Sequence, residues 1–145
     1  MTSDWPFVFA LFWIGGWIAA SIIYRRINGK SVFPRSPLGA VFRERMASGW
    51  NDGSWIGRIG GASRCLLVAV TDREIVITPF FPFNLMFLPE IYGLEIRTSL
   101  SQIRRVEERR WFFRDSIIVD MGNGQRFGLI LRDPEAFKAA LRPNP

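Results

Sequence analysis

The sequence contains no histidine, which removes the commonest general base, the usual partner of a serine or cysteine nucleophile, and most zinc sites. Its single cysteine, Cys65, cannot form an intramolecular disulfide. Lying in the apolar run of residues 65–70, it reads as a core residue rather than a reactive thiol, which suits a reducing compartment. Gly57, Gly60 and Gly61 lack the Walker spacing and its Lys-Ser or Lys-Thr ending, so they read as turns rather than a phosphate loop. Glu107 and Glu108 are adjacent, and on a strand adjacent side chains point to opposite faces. They and the pair Asp115 and Asp120 read as surface charge, and the remaining carboxylates are too scattered to suggest a metal site. The expectation is a chain with no catalytic residues, no cofactor and no metal.

What is abundant is apolar: 48% of residues are hydrophobic and 14% aromatic, too apolar for a disordered chain and slightly rich for a soluble one. At 145 residues the chain has room for one domain and an appendage. The formal charge is +6, and its location matters more than its size. Residues 1–24 carry only Asp4. Residues 25–64 carry eight Arg or Lys against Glu44 and Asp52, and residues 65–145 are nearly balanced.

Residues 5–24 are uncharged throughout, and at 1.5 Å per residue a helix of that length matches a hydrocarbon core roughly 30 Å thick. Trp5 anchors one end and Tyr24, Arg25 and Arg26 the other, with Pro6 where a first helical turn tolerates it. Residues 1–26 therefore predict a transmembrane helix. A cleaved signal peptide, with Ala19-Ala20-Ser21 as a loose cleavage site, and a buried helix of a soluble protein are the competing readings. The basic residues follow the span, so the positive-inside rule puts the N-terminus outside and the C-terminal domain in the cytoplasm, in the manner of a single-pass inner-membrane protein. Gly15, Gly16, Ala19 and Ala20 form small-xxx-small pairs that permit close helix packing, although small residues are common in such helices anyway.

Asn28-Gly29-Lys30, Pro34 and Pro37 break the helix, and residues 27–53 read as a basic juxtamembrane linker. Leu38, Val41, Phe42 and Met46 recur at helical spacing there, a weak signal for a short amphipathic helix. Arg25, Arg26, Lys30, Arg35, Arg43 and Arg45 are candidates for contact with anionic lipid headgroups, each contributing about 1 kcal/mol near a charged leaflet. Setting topology is the other use of the same charges. Nucleic acid is not expected as a partner of a basic patch held beside a membrane.

Residues 54–145 read as a β-rich domain of about seven strands. Residues 55–59 open it as a first strand. Residues 65–71 and 74–78 flank Asp72-Arg73 as a hairpin, and residues 94–98 and 103–108 follow. Residues 116–121 and 126–131 pair around Gly122-Asn123-Gly124, where Asn-Gly suits a type I′ turn. A terminal helix has a capping Asp133, Pro134 at its first position, Glu135 in its first turn and an apolar stripe of Phe137, Ala140 and Leu141.

Residues 66–141 resemble a bacterial pleckstrin-homology-like (PH-like) domain. The likeness rests on Thr71-Asp72-Arg73-Glu74-Ile75-Val76-Ile77, on Leu100-Ser101-Gln102-Ile103-Arg104-Arg105-Val106-Glu107, and on the glycine hairpin and closing helix. The resemblance implies a mainly β fold, a seven-stranded barrel or sandwich capped by a C-terminal helix, acting as a non-catalytic membrane or protein adaptor. In phosphoinositide-binding relatives the first interstrand loop supplies basic headgroup ligands. Arg58 and Arg64 flank Gly60-Gly61 at the matching place, although residues 66–70 carry none of the basic residues such relatives place on the second strand.

The least expected stretch is 79–89, a connection with no charge and three prolines. Phe80, Phe81, Phe83, Leu85, Met86, Phe87 and Leu88 must bury against the domain's own core, a partner chain or the bilayer interface. Trp111, Phe112 and Phe113, bracketed by Arg109, Arg110 and Arg114, form a second aromatic cluster, suited to a headgroup interface or to arginine stems covering rings. The expected partners are the lipid bilayer, anionic headgroups, and another membrane protein or a second copy. The rival expectation is a structural subunit of a homo- or hetero-oligomeric membrane complex assembled through residues 80–88.

Overall fold

The computed structural model describes residues 4–33, 35–59, 61–86, 93–111 and 113–142. Helix α1 (Trp5–Ile27) is followed by β1 (Phe42–Asn51), α2 (Trp55–Ile59), β2 (Ala62–Val70), β3 (Glu74–Pro79), α3 (Phe83–Met86) and β4 (Ile96–Ser99). A 3₁₀ turn (Leu100–Gln102) leads into β5 (Ile103–Trp111), β6 (Arg114–Met121), β7 (Arg126–Ile130) and α4 (Pro134–Leu141).

Asn28-Gly29 stops α1 by a Schellman arrangement. Gly29 takes φ +66°, its N–H donates to the Arg26 carbonyl at 3.2 Å, and the Lys30 N–H donates to the Arg25 carbonyl at 2.8 Å. Beyond it lies a seven-stranded antiparallel sheet in the order β4-β3-β2-β1-β7-β6-β5. Two consecutive meanders, β1 to β4 and β5 to β7, are joined where β1 pairs with β7. The expected number of strands is present, with one exchanged for another.

Residues 42–51 are the central strand β1, not a linker containing an amphipathic helix, so the sheet begins at Phe42 rather than after residue 53. Of the four helix-spaced apolar residues only Phe42 is buried; Leu38, Val41 and Met46 are exposed. Pairing on both sides decides the conformation: Glu44 lies opposite Val68 on β2, and Ser48 opposite Ile130 on β7. A bulge at Met46 (φ +62°) shifts the register between the two halves. Gly49 permits the close approach, because a Cβ there would stand 2.7 Å from the Gly128 carbonyl oxygen.

Residues 55–59, expected as the first strand, are instead the helical turn α2. Ser54 starts it: its Oγ accepts from the Gly57 N–H at 3.0 Å and its carbonyl from the Arg58 N–H at 3.0 Å, which is the local capping chemistry of serine. The glycine hairpin also differs from a type I′ turn. Positive φ is confined to Gly124 (+81°), the Gly124 N–H donates to the Met121 carbonyl, and the result is a three-residue loop closed by a glycine bulge.

β2 is buried along most of its length because it has strands on both sides. The core packs Leu66, Val68, Val70, Ile75 and Ile77 against Ile117, Val119, Phe127 and Leu129. Phe137 of α4 is inserted among them and meets Phe42 edge-on at 5.4 Å between ring centroids. The α4 start forms as its sequence predicts, the Asp133 carboxylate accepting from the Ala136 N–H at 2.9 Å. Cys65 is buried, and that burial pushes its thiol pKa up from 9.0.

Candidate functional site

Helix α1 spans 23 residues with a mean hydropathy of 2.0, and only 6% of its apolar window is covered by the rest of the chain. It is long and apolar enough to cross a membrane, and it is not the buried helix of a soluble core. At 1.5 Å per residue it extends about 35 Å.

The foot of α1 is built into the domain. Arg25, in its last turn, is only 1% exposed. Its Nε and Nη2 donate to the Ser31 carbonyl at 3.0 and 2.8 Å, and its Nη2 and Nη1 reach the two Glu95 oxygens at 3.3 and 3.4 Å. Lys30 Nζ stands 3.7 Å from the same carboxylate. Arg25 is therefore not available as a headgroup ligand, because it is buried on an anion that the protein supplies, whereas the Lys30 side chain stays 35% exposed. Asn84 of α3, fully buried, donates to the Val32 carbonyl at 2.7 Å, and the Phe33 and Phe81 rings meet at 5.0 Å.

The register places this foot at one end of the sheet. Asn51 at the end of β1 lies opposite Phe127 at the start of β7, Gly49 opposite Ala62, and Leu66 opposite Pro79. The β1–β2 and β3–β4 connections thus leave from the end at which α1 arrives. α2, within the β1–β2 connection, exposes Trp55 by 73% and Ile59 by 78%. An isolated exposed leucine means little, but exposed large side chains at the mouth of an apolar helix form a surface suited to an interface.

The aromatic connection divides. Phe80 and Phe83 are half-buried and meet edge-on at 5.2 Å, Leu85 is buried, and Phe81 stays exposed beside Phe33. Met86 ends α3, while Phe87, Leu88 and Phe112 and the side chains of Met86 and Trp111 lie outside the described residues. Phe113, at the tip of the β5–β6 hairpin, is 95% exposed.

The remaining basic candidates are not brought together. Arg26 and Arg35 are exposed near the foot, Arg43 and Arg45 are exposed toward the Phe42 end of β1, and Arg64 is exposed on a bulge of β2 with φ +54°. Arg58 behaves differently. Its Nε donates to the Asp52 carbonyl at 3.1 Å and lies 3.4 Å from the Asp52 carboxylate. It forms one wall of a cavity of about 420 Å³ lined also by Trp50, Arg109, Arg110 and Arg126. Arg126 is a residue that sequence reasoning missed. Its only sequence signal is a position just after the glycine turn; its closeness to Asp52, whose N–H donates to the Arg126 carbonyl at 2.7 Å, is made by the fold.

Among the described residues no three His, Cys, Asp or Glu side chains cluster as metal ligands. No family model matches this chain, and no curated protein matches it.

Proposed function

We propose that this chain is a membrane-tethered, non-catalytic adaptor of the PH-like kind. In this reading α1 holds a cytoplasmic domain whose α1-proximal end docks on the inner membrane surface. The observation that carries it is the coincidence at one sheet end of the tether foot, fastened by Arg25 to Glu95, with the exposed Trp55, Ile59, Phe33 and Phe81. A domain clamped to the last turn of a spanning helix must lie against the bilayer, and its exposed large side chains at that end then have an apolar phase to enter. Burial of Arg25 in the domain also supports a retained anchor over a cleaved leader, since the domain uses the helix end as a structural part. Two antiparallel meanders closed by a terminal helix agree with what the PH-like resemblance implies.

Assembly through residues 80–88 is less well supported, because Phe80, Phe83 and Leu85 spend much of their apolar surface within the chain. The test is depth. In full-length protein in lipid nanodiscs, a nitroxide at position 55 is expected to collide preferentially with oxygen dissolved in lipid, and one at position 72, in the β2–β3 turn at the other sheet end, with a water-soluble nickel reagent. Equal aqueous accessibility at both positions removes the membrane-docking reading.

A further inference from the structure

We infer that the free edge of β5 pairs with the same edge of a second copy of this chain, antiparallel and about a two-fold axis at Val106. β5 is nine residues long and stands last in the sheet, and among the described residues it pairs only with β6. The direction of its backbone groups follows from β6. The Met121 N–H donates to the Gln125 carbonyl at 2.8 Å, and backbone groups alternate sides along a strand. Met121, Val119 and Ile117 therefore turn theirs to β7, while Asp120, Ile118 and Ser116 turn theirs to β5, where they lie opposite Arg105, Glu107 and Arg109. That leaves the N–H and carbonyl groups of Val106, Glu108 and Arg110 aimed at the open side, a row of donors and acceptors that templates another strand. Helix α4 does not close this side: a cavity of about 520 Å³ lies open between Arg104, Arg105 and Val106 and the α4 residues Lys138 and Leu141.

The order of charges identifies the occupant. Residues 104–108 read Arg-Arg-Val-Glu-Glu. Reversed against a second copy with Val106 opposite Val106, Arg104 meets Glu108 and Arg105 meets Glu107, each twice, so every charged meeting joins opposite signs. Directly opposed residues of an antiparallel pair share a face, where unlike charges stabilise the pairing and like charges destabilise it. Moving the axis one residue either way puts Arg105 opposite Arg105 or Glu107 opposite Glu107, so the charges fix the register as well as the partner. Charges that only blunt an edge need no such order. Within one chain these residues already have partners: Arg105 lies 2.8 Å from Glu107, Glu107 lies 3.7 Å from Arg126, and Lys138 contacts Glu108. Pairing therefore draws on no surplus charge. It exchanges exposed ion pairs along one strand, which contribute little, for pairs across the axis, and it adds a backbone ladder. The contact is isologous and closes at two copies. Two copies anchored in one bilayer meet this way when the axis stands along the bilayer normal and β5 lies across it.

Short-range thiol crosslinking of full-length protein in the membranes of expressing cells tests the pairing, with Cys65→Ala in every variant. Opposed Cα atoms of a backbone-bonded pair lie about 5.5 Å apart, so Val106→Cys is expected to crosslink to its own counterpart. The two copies of Arg110→Cys would stand about 27 Å apart at 3.4 Å per residue and are not expected to crosslink. Arg105→Cys co-expressed with Glu107→Cys reports the same meeting from outside the core. Charge inversion separates ordered pairing from chance contact. Added to Val106→Cys, either Arg104→Glu with Arg105→Glu or Glu107→Arg with Glu108→Arg is expected to cut crosslinking at least about tenfold, because like charges then face each other. Co-expression of the two inverted chains should restore crosslinking between them, since each charge again meets its opposite. Absence of crosslinks from both the 106 variant and the 105–107 combination, equal crosslinking at 106 and 110, or inverted chains that fail to recover together, overturns the pairing. The readout is proximity between copies and is independent of depth, so its failure and a failure of the position-55 depth measurement are distinguishable.

Discussion

Removing the carboxylate of Glu95 should loosen the joint between the membrane helix and the sheet without unfolding the sheet. Breaking one partner out of a fully buried ion pair costs about 3 to 5 kcal/mol. Here the Glu95 side chain is 30% exposed, so water replaces part of what is lost. The Ser31 carbonyl still accepts two guanidinium N–H groups, and the two bonds to Glu95 are long at 3.3 and 3.4 Å. Those corrections bring the expected cost of Glu95→Ala to about 2 kcal/mol, a factor of roughly 30 in the local opening equilibrium. Amide hydrogen exchange in nanodiscs measures that factor directly. Residues 28–33 should exchange about 30-fold faster in Glu95→Ala, while residues 66–70 in the centre of the sheet keep their wild-type rates. Glu135→Gln, at an exposed position of α4 far from Glu95 in the chain, serves as the control. Unchanged exchange at 28–33, or a rise spread equally over the sheet, would refute the idea that this carboxylate fastens the helix.

Two further outcomes follow from packing. Gly128→Ala places a methyl group 2.3 Å from the Trp50 ring, so the indole must move; the sheet should lose about 1 to 3 kcal/mol, read as a lower denaturant midpoint, and an unchanged midpoint refutes the close contact. Burial raises the Cys65 thiol above 9.0, so the folded protein favours the neutral form. The resulting stabilisation is present below the unfolded thiol's pKa and is lost as pH rises through the folded value. Iodoacetamide should therefore label Cys65 slowly in the native protein and rapidly after denaturation, and complete labelling of the native protein by mass spectrometry contradicts that burial.

Elements specified by local chemistry are legible in the sequence. The uncharged run of α1, the β2–β3 hairpin around Asp72-Arg73, and α4 with Asp133 and Pro134 all carry their instructions within a few residues. β1 does not: its residues Phe42–Asn51 mix charges, small residues and two aromatics, and they are a strand because β2 and β7 flank them. α2 was open to a better reading, since Ser54 is a capping residue three positions before Gly57. The fate of Arg25 was not legible, because its partner Glu95 is 70 positions away. A cationic residue at the end of a membrane span reads as a headgroup contact until the fold supplies its carboxylate. The arginine cavity is of the same kind, with Arg58, Arg109 and Arg126 converging only after β1, β5 and β7 have come together.

The pairing of β1 with β7 has a consequence for biogenesis. The strand that follows α1 waits for the last strand of the sheet, so during synthesis α1 is complete while β1 still lacks a neighbour on one side. On the proposed membrane-tethered reading, sheet closure then takes place on a nascent chain confined to the membrane plane. Truncations that stop short of Ile130 should leave a sheet whose β1 lacks part of its second neighbour.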